Sequence, residues 1–99
     1  MGVKAELVGD QVTIYVEGMF DINLYDAFNN AYKTYLDEAK RFVIDFRHAS
    51  NIDSAALGLM LLLRQKAGAD EADVSIVNAN DSIMKVLNIA QFSQLFHIR

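Results

Sequence analysis

The stretch Ile52-Asp53-Ser54-Ala55-Ala56-Leu57-Gly58 decides how this 99-residue chain is read. It sets one hydroxyl beside one carboxylate where a polar segment gives way to a very apolar one. Upstream, Phe42-Val43-Ile44-Asp45-Phe46 reads as a short buried strand. Downstream, Leu59-Met60-Leu61-Leu62-Leu63 continues a helix with almost no polar face, expected to run from Ser54 to about Ala67 and to stop at Gly68. A serine at a strand-to-helix junction usually caps the helix by accepting an orphan backbone N–H. The same position suits a phosphoacceptor, because the positive helix end tolerates an added anion.

Outward from this junction the periodicity alternates between two and three-to-four. Val3, Ala5 and Leu7, then Val12, Ile14 and Val16, alternate with polar residues, and Gly9-Asp10 between them fits a two-residue hairpin turn. From Leu24 to Lys40 the apolar residues Leu24, Ala27, Phe28, Ala31, Tyr32, Tyr35, Leu36 and Ala39 form a helical stripe, with Asp21 or Asn23 as its cap. Arg47 to Asn51 reads as a polar loop after the strand at 42–46. Val74-Ser75-Ile76-Val77 is a further strand, and Asn78 and Asn80 suit the turn that follows. Asp81 or Ser82 then caps a helix with Ile83, Val86, Leu87 and Ala90 inward. Phe92, Leu95, Phe96 and Ile98 in the tail are expected to dock on the core. The order β-β-α-β-α-β-α predicts an α/β fold with a mixed sheet and right-handed crossovers. Gly58, inside a helix, is expected to serve close helix–sheet packing.

Composition bounds the function. The length allows one domain over 1–99, and 53% hydrophobic with 22% charged residues is enough for a compact core. A net charge of -4 argues against non-specific nucleic-acid binding. No basic run suggests an anionic membrane surface, and the longest apolar stretch, Ala55 to Leu63, is too short for a span. The first residues lack an apolar secretory core, so a cytoplasmic location is expected. The chain has no cysteine, which excludes disulfides and thiolate chemistry.

Catalytic readings are weak. Ser54, His48 and Asp53 can be drawn as a triad, but there is no Gly-x-Ser-x-Gly elbow. His48 and His97 share no helical face and make a poor metal site. Asp45 lacks the acidic pair and the distal lysine of a phosphoaccepting receiver domain. No catalytic residue, cofactor or metal is therefore assigned.

Several pieces in order resemble the STAS domain family, in particular its anti-sigma factor antagonists. They are Val43-Ile44-Asp45-Phe46, Asp53-Ser54-Ala55-Ala56-Leu57-Gly58, Ile76-Val77-Asn78 and Leu95-Phe96, with Gly18-Met19-Phe20-Asp21 similar to the family's Gly-x-x-Asp turn. The resemblance implies a STAS-like mixed sheet of four or five strands, opening with a hairpin and packed with three to four helices. It implies that Ser54 is the phosphorylation site, with Asp53 beside it. It implies a partner-binding set of Asp53, Ser54, Ala55, Ala56, Asp21, Asn23 and Asn51. The partner implied is an anti-sigma factor that is itself a serine kinase of histidine-kinase-like ATPase fold, with a serine phosphatase to reset the switch. A non-switching scaffold or regulator of another signalling enzyme is the alternative. Ala55 stands where the family has a second serine, and Ala56 where it has glycine. The first leaves a single hydroxyl in the motif; the second is expected to alter how a partner approaches.

Overall fold

The computed structural model describes residues 2–99. Two strands open it: β1 (Val3–Val8) and β2 (Gln11–Phe20), antiparallel, with Val3 opposite Val16 and Val8 opposite Gln11. Gly9 between them has φ +64°, the left-handed conformation a two-residue hairpin turn needs. The expected hairpin is present, and β2 runs on well beyond it.

A single 3-10 turn (Ile22–Leu24) leads into α1 (Tyr25–Lys33). This helix ends seven residues before the expected Lys40. Tyr35, Leu36 and Ala39 keep their apolar spacing and pack on the core, but from a series of turns. The burial pattern survives without the helix that the spacing predicts. Lys40 and Arg41 then donate their backbone N–H groups to Asp10 O at 2.7 and 3.1 Å, and Arg41 Nη2 lies 3.0 Å from Asp10 Oδ1. The start of the next strand is thereby fastened to the hairpin turn.

That strand, β3, spans Arg41–Ile52 and absorbs the expected loop at 47–51. It pairs in parallel with β2 over its length, through register shifts between Tyr15 and Glu17 and between Gly18 and Met19. Arg47, His48, Ser50 and Asn51 are polar because this extension is exposed, not because it is irregular. Next come α2 (Ser54–Lys66), a 3-10 turn (Ala69–Glu71), β4 (Val74–Val77), α3 (Asp81–Ile89), a last 3-10 turn (Phe92–Gln94) and the short β5 (His97–Ile98). The sheet order is β1-β2-β3-β4-β5, parallel from β2 onward. This is the mixed sheet and three-helix arrangement expected from the sequence.

One apolar core unites the inward residues of the strands with one face of each helix. Val12, Ile14, Val16, Phe42, Ile44, Val74 and Ile76 come from the sheet. Phe28 and Tyr32 come from α1, Leu59, Met60 and Leu63 from α2, and Ile83 and Leu87 from α3. Phe92 and Phe96 stack at 4.9 Å and bring the tail onto this core, as expected, while Leu95 remains exposed. Tyr32 is buried, donates its hydroxyl to Asn29 Oδ1 at 3.1 Å, and has its phenol pushed up to about 12 by that burial.

Candidate functional site

The carboxyl ends of β2, β3 and β4 each run directly into a helical turn, and each entry is capped by a side chain. Asp21 Oδ1 accepts from Asn23 N at 2.9 Å, Asp53 Oδ1 from Ala56 N at 3.1 Å, and Asn80 Oδ1 from Ile83 N at 2.9 Å. Two further contacts draw these ends together. Asp53 N donates to Phe20 O at 3.3 Å, and Asn80 Nδ2 donates to Ala49 O and Ser50 O at 3.4 and 3.1 Å. In open α/β sheets this carboxyl edge is where ligands and partners are received.

The cap assignments differ from expectation. Asp53, not Ser54, caps α2, and Asn80, not Asp81 or Ser82, caps α3. Asp21 caps the 3-10 turn at 22–24, with Asn23 supplying the capped N–H, while α1 itself starts after Leu24 without a side-chain cap. Acid and amide side chains at these positions reach the N–H two (Asp21) or three (Asp53, Asn80) residues on, and each precedes the first residue of its helical turn as a cap must. Ser54 is thereby released from structural duty. It is the first residue of α2, exposed, and among the described residues its Oγ makes no hydrogen bond.

The expected contact residues separate into two groups. Asp21, Asn23, Asn51, Asp53, Ser54 and Ala55 lie on the rim and are exposed or half-exposed. Asn51 sits opposite Met19 in the β2–β3 register, and its Oδ1 accepts from Ile52 N. Ala56 does not belong with them. It is 0% exposed and lines up with Leu59, Met60 and Leu63 on the inward face of α2, so its methyl fills the core and cannot meet a partner.

Gly58 overturns a second expectation. It is exposed, and a Cβ built on it meets nothing within 4 Å, so close packing on the sheet is not its purpose. Ser54, Gly58 and Leu61 follow one another at helical spacing on the open side of α2, where Leu61 is 39% exposed. Ile22, 60% exposed, and the exposed Met19 and Tyr25 add apolar surface around Asp21. The helical spacing drew attention to the caps, not to these three. Ile22 is nevertheless recognisable as an apolar residue outside the α1 stripe. The rim thus carries exposed apolar side chains as well as the carboxylates of Asp21 and Asp53 and the hydroxyl of Ser54.

The histidines lie elsewhere. His48 pairs with Glu17 across the β2–β3 ladder and lines a shallow cavity of about 420 Å³ with Tyr15, Lys4 and Glu6. His97 on β5 is 3.8 Å from Asp73. Asp53 Oδ1 is engaged by the cap, and among the described residues no hydrogen bond links Ser54, His48 and Asp53 into a triad. Among the described residues no three metal-binding side chains converge, and no helix is long and apolar enough to cross a membrane.

The pattern of capped turns along a mixed sheet has relatives. Residues 3–97 match a family model described as Mlab, STAS domain, and the chain belongs to the STAS domain family. A STAS-domain containing protein of Pseudomonas aeruginosa (strain UCBPP-PA14) is 40% identical over 90 residues, covering 91% of this chain and 89% of the relative. Solved structures share the fold at lower identity. An anti-sigma factor antagonist from Mycobacterium paratuberculosis superposes with a TM-score of 0.83 at 16% identity, over 97% of this chain and 82% of its own. The anti-sigma factor antagonist SpoIIAA in its unphosphorylated form gives 0.78 at 18% identity, over 99% and 87%. The phosphorylated form of the Bacillus SpoIIAA gives 0.76 at 17%, over 99% and 91%.

Proposed function

We propose that this protein is an anti-sigma factor antagonist working by partner switching in the bacterial cytoplasm, a binding module and not an enzyme. In its unmodified form the rim of Asp21, Asn23, Asn51, Asp53, Ser54 and Ala55 binds an anti-sigma factor that is also a serine kinase of histidine-kinase-like ATPase fold. Phosphorylation of Ser54 releases that partner, and a serine phosphatase restores binding. Neither nucleic acid nor a membrane takes part.

The observation that carries this reading is the free, exposed hydroxyl of Ser54 beside a carboxylate that does the capping in its place. A hydroxyl without a structural task can be modified without unfolding the helix it begins. A phosphate there adds roughly -1.5 to -2 charges next to Asp53. The helix N-terminus offsets only about 0.3–1 kcal/mol of the resulting repulsion. Within an apolar contact built on Ile22, Met19 and Leu61, the unpaired dianion must also be desolvated, so the contact breaks while the fold persists. Support also comes from the shared fold of SpoIIAA, which is known in both unphosphorylated and phosphorylated forms.

The test is capture of partners with Ser54→Ala and identification by mass spectrometry, followed by binding measured for wild type, Ser54→Ala and Ser54→Asp. An ATPase of histidine-kinase-like fold that binds Ser54→Ala, phosphorylates the wild type on Ser54 and loses Ser54→Asp supports the switch. Equal binding of all three sinks it. Equal binding to a different signalling enzyme would instead establish the rival reading, a non-switching scaffold, for which the loss of the motif's second hydroxyl at Ala55 is the specific argument.

A further inference from the structure

The outer edge of β1 carries a charge pattern that complements itself. Hydrogen-bonded pairs alternate along an antiparallel ladder, and Glu17 N donates to Gly2 O at 2.7 Å, which fixes the parity. Lys4, Glu6 and Val8 therefore exchange their backbone bonds with Tyr15, Thr13 and Gln11 of β2. The N–H and C=O groups of Val3, Ala5 and Leu7 point away from the sheet, and among the described residues they have no backbone partner. Edge strands are commonly blunted by a proline, a bulge or charged side chains, and the charges on this edge, Lys4 and Glu6, are of opposite sign. This chain contains no proline, and β1 pairs with β2 without a register shift.

We propose that a second copy of this chain adds to that edge, pairing β1 with β1 antiparallel about a two-fold axis at Ala5. The outward groups of Val3, Ala5 and Leu7 then bond to those of Leu7, Ala5 and Val3 in the other copy. Lys4 falls opposite Glu6, and Glu6 opposite Lys4, in the non-hydrogen-bonded positions where facing side chains come closest. Neighbouring registers that also satisfy the outward groups centre on Lys4 or on Glu6. The first sets two lysines face to face and the second two glutamates, so charge selects the register at Ala5. That register also gives the longest overlap, bringing Val8, 69% exposed, opposite Gly2 of the other copy. On the inner face the half-buried Val3 and Leu7, already packed on the core, gain an apolar neighbour. The product is a closed, isologous dimer with one continuous sheet.

Charge reversal tests this without touching the core, since Lys4 and Glu6 are both exposed. Sedimentation equilibrium of the full chain from micromolar to millimolar concentration is expected to find a dimer. Lys4→Glu alone, or Glu6→Lys alone, turns both facing pairs into like charges and weakens the dimer by about tenfold. The double variant Lys4→Glu/Glu6→Lys restores the wild-type constant. Equal amounts of the two single variants form mixed dimers in preference to either alone. A wild type that stays monomeric throughout overturns the proposal. So does a dimer indifferent to the single reversals, or one that the double variant fails to restore.

Discussion

The side-chain amide of Asn78 donates to Asp45 Oδ1 at 3.0 Å, joining the end of β4 to the middle of β3 across 33 positions of sequence. Asp45 is 7% exposed, and the same oxygen accepts from Arg47 N at 2.9 Å. The carboxylate thus holds β3 near its register shift and holds the chain that leads to Asn80, the cap of α3. Asn78 has φ +61°, a conformation that asparagine tolerates better than most residues. Two variants separate its roles. Asn78→Gly keeps the backbone conformation and loses the bond, at a cost of about 1–3 kcal/mol for the half-satisfied carboxylate. Asn78→Ala loses both, and should fall below Asn78→Gly by a further ~1 kcal/mol. Urea midpoints at constant m-value measure the difference.

Asp53 allows the cap to be separated from the charge. Asp53→Ala leaves Ala56 N without its acceptor and is expected to destabilise the domain by about 1 kcal/mol. Asp53→Asn retains an equally good cap and should leave stability nearly unchanged. If Asp53 repels a phosphate on Ser54, the asparagine variant also releases the partner less completely after phosphorylation. Binding of the modified and unmodified forms in both backgrounds reads this directly. Equal release by Asp53→Asn and wild type would remove Asp53 from the switch.

Much of this was legible in the residues, and the failures have physical reasons. The hairpin could be read because period-two alternation flanks a glycine in a position requiring φ above zero. The end of α1 could not, because Tyr35, Leu36 and Ala39 bury apolar surface from turns as effectively as from a helix. The extension of β3 was hidden because ladder bonds between backbones leave no mark in side chains that both face water. Caps were misplaced by one residue where two competent side chains are adjacent, as at Asp53 and Ser54. The motif pointed to the start of α2, yet only packing could remove Ala56 from the surface there and expose Ile22 beside it.

Gly58 supplies a prediction with opposite signs. A glycine within a helix costs on the order of 1 kcal/mol relative to alanine, and here nothing inside the domain occupies the space of its missing Cβ. Gly58→Ala should therefore stabilise the isolated protein by about 1 kcal/mol, raising Tm by roughly 4–8 °C for a domain of this size. If a partner lies over Ser54, Gly58 and Leu61, the added methyl holds it away, and affinity falls although stability rises. Calorimetry and binding on the same preparation test the pair of effects. A gain in stability with unchanged affinity would place the partner off this face of α2.

Tyr32 gives the domain an alkaline limit. Burial raises its phenol from the ordinary value of 10.0 to about 12, with the nearby Tyr25 adding to the shift. Between these values the unfolded chain gives up the proton while the folded chain keeps it. The unfolded state then binds fewer protons, so stability falls as pH rises. The contribution is fully present below pH 10 and is lost progressively toward pH 12, by an amount on the order of 2 kcal/mol. Tyr32→Phe removes the titrating group together with the bond to Asn29, so it should be less stable than wild type at pH 8 by about 1 kcal/mol. Its stability should decline less steeply above pH 10, so that the two curves converge and then cross before pH 12. Urea unfolding at intervals from pH 8 to 12 measures both slopes, with phenolate absorbance reporting the ionisation itself. Parallel curves for the two proteins would show that Tyr32 does not set the limit.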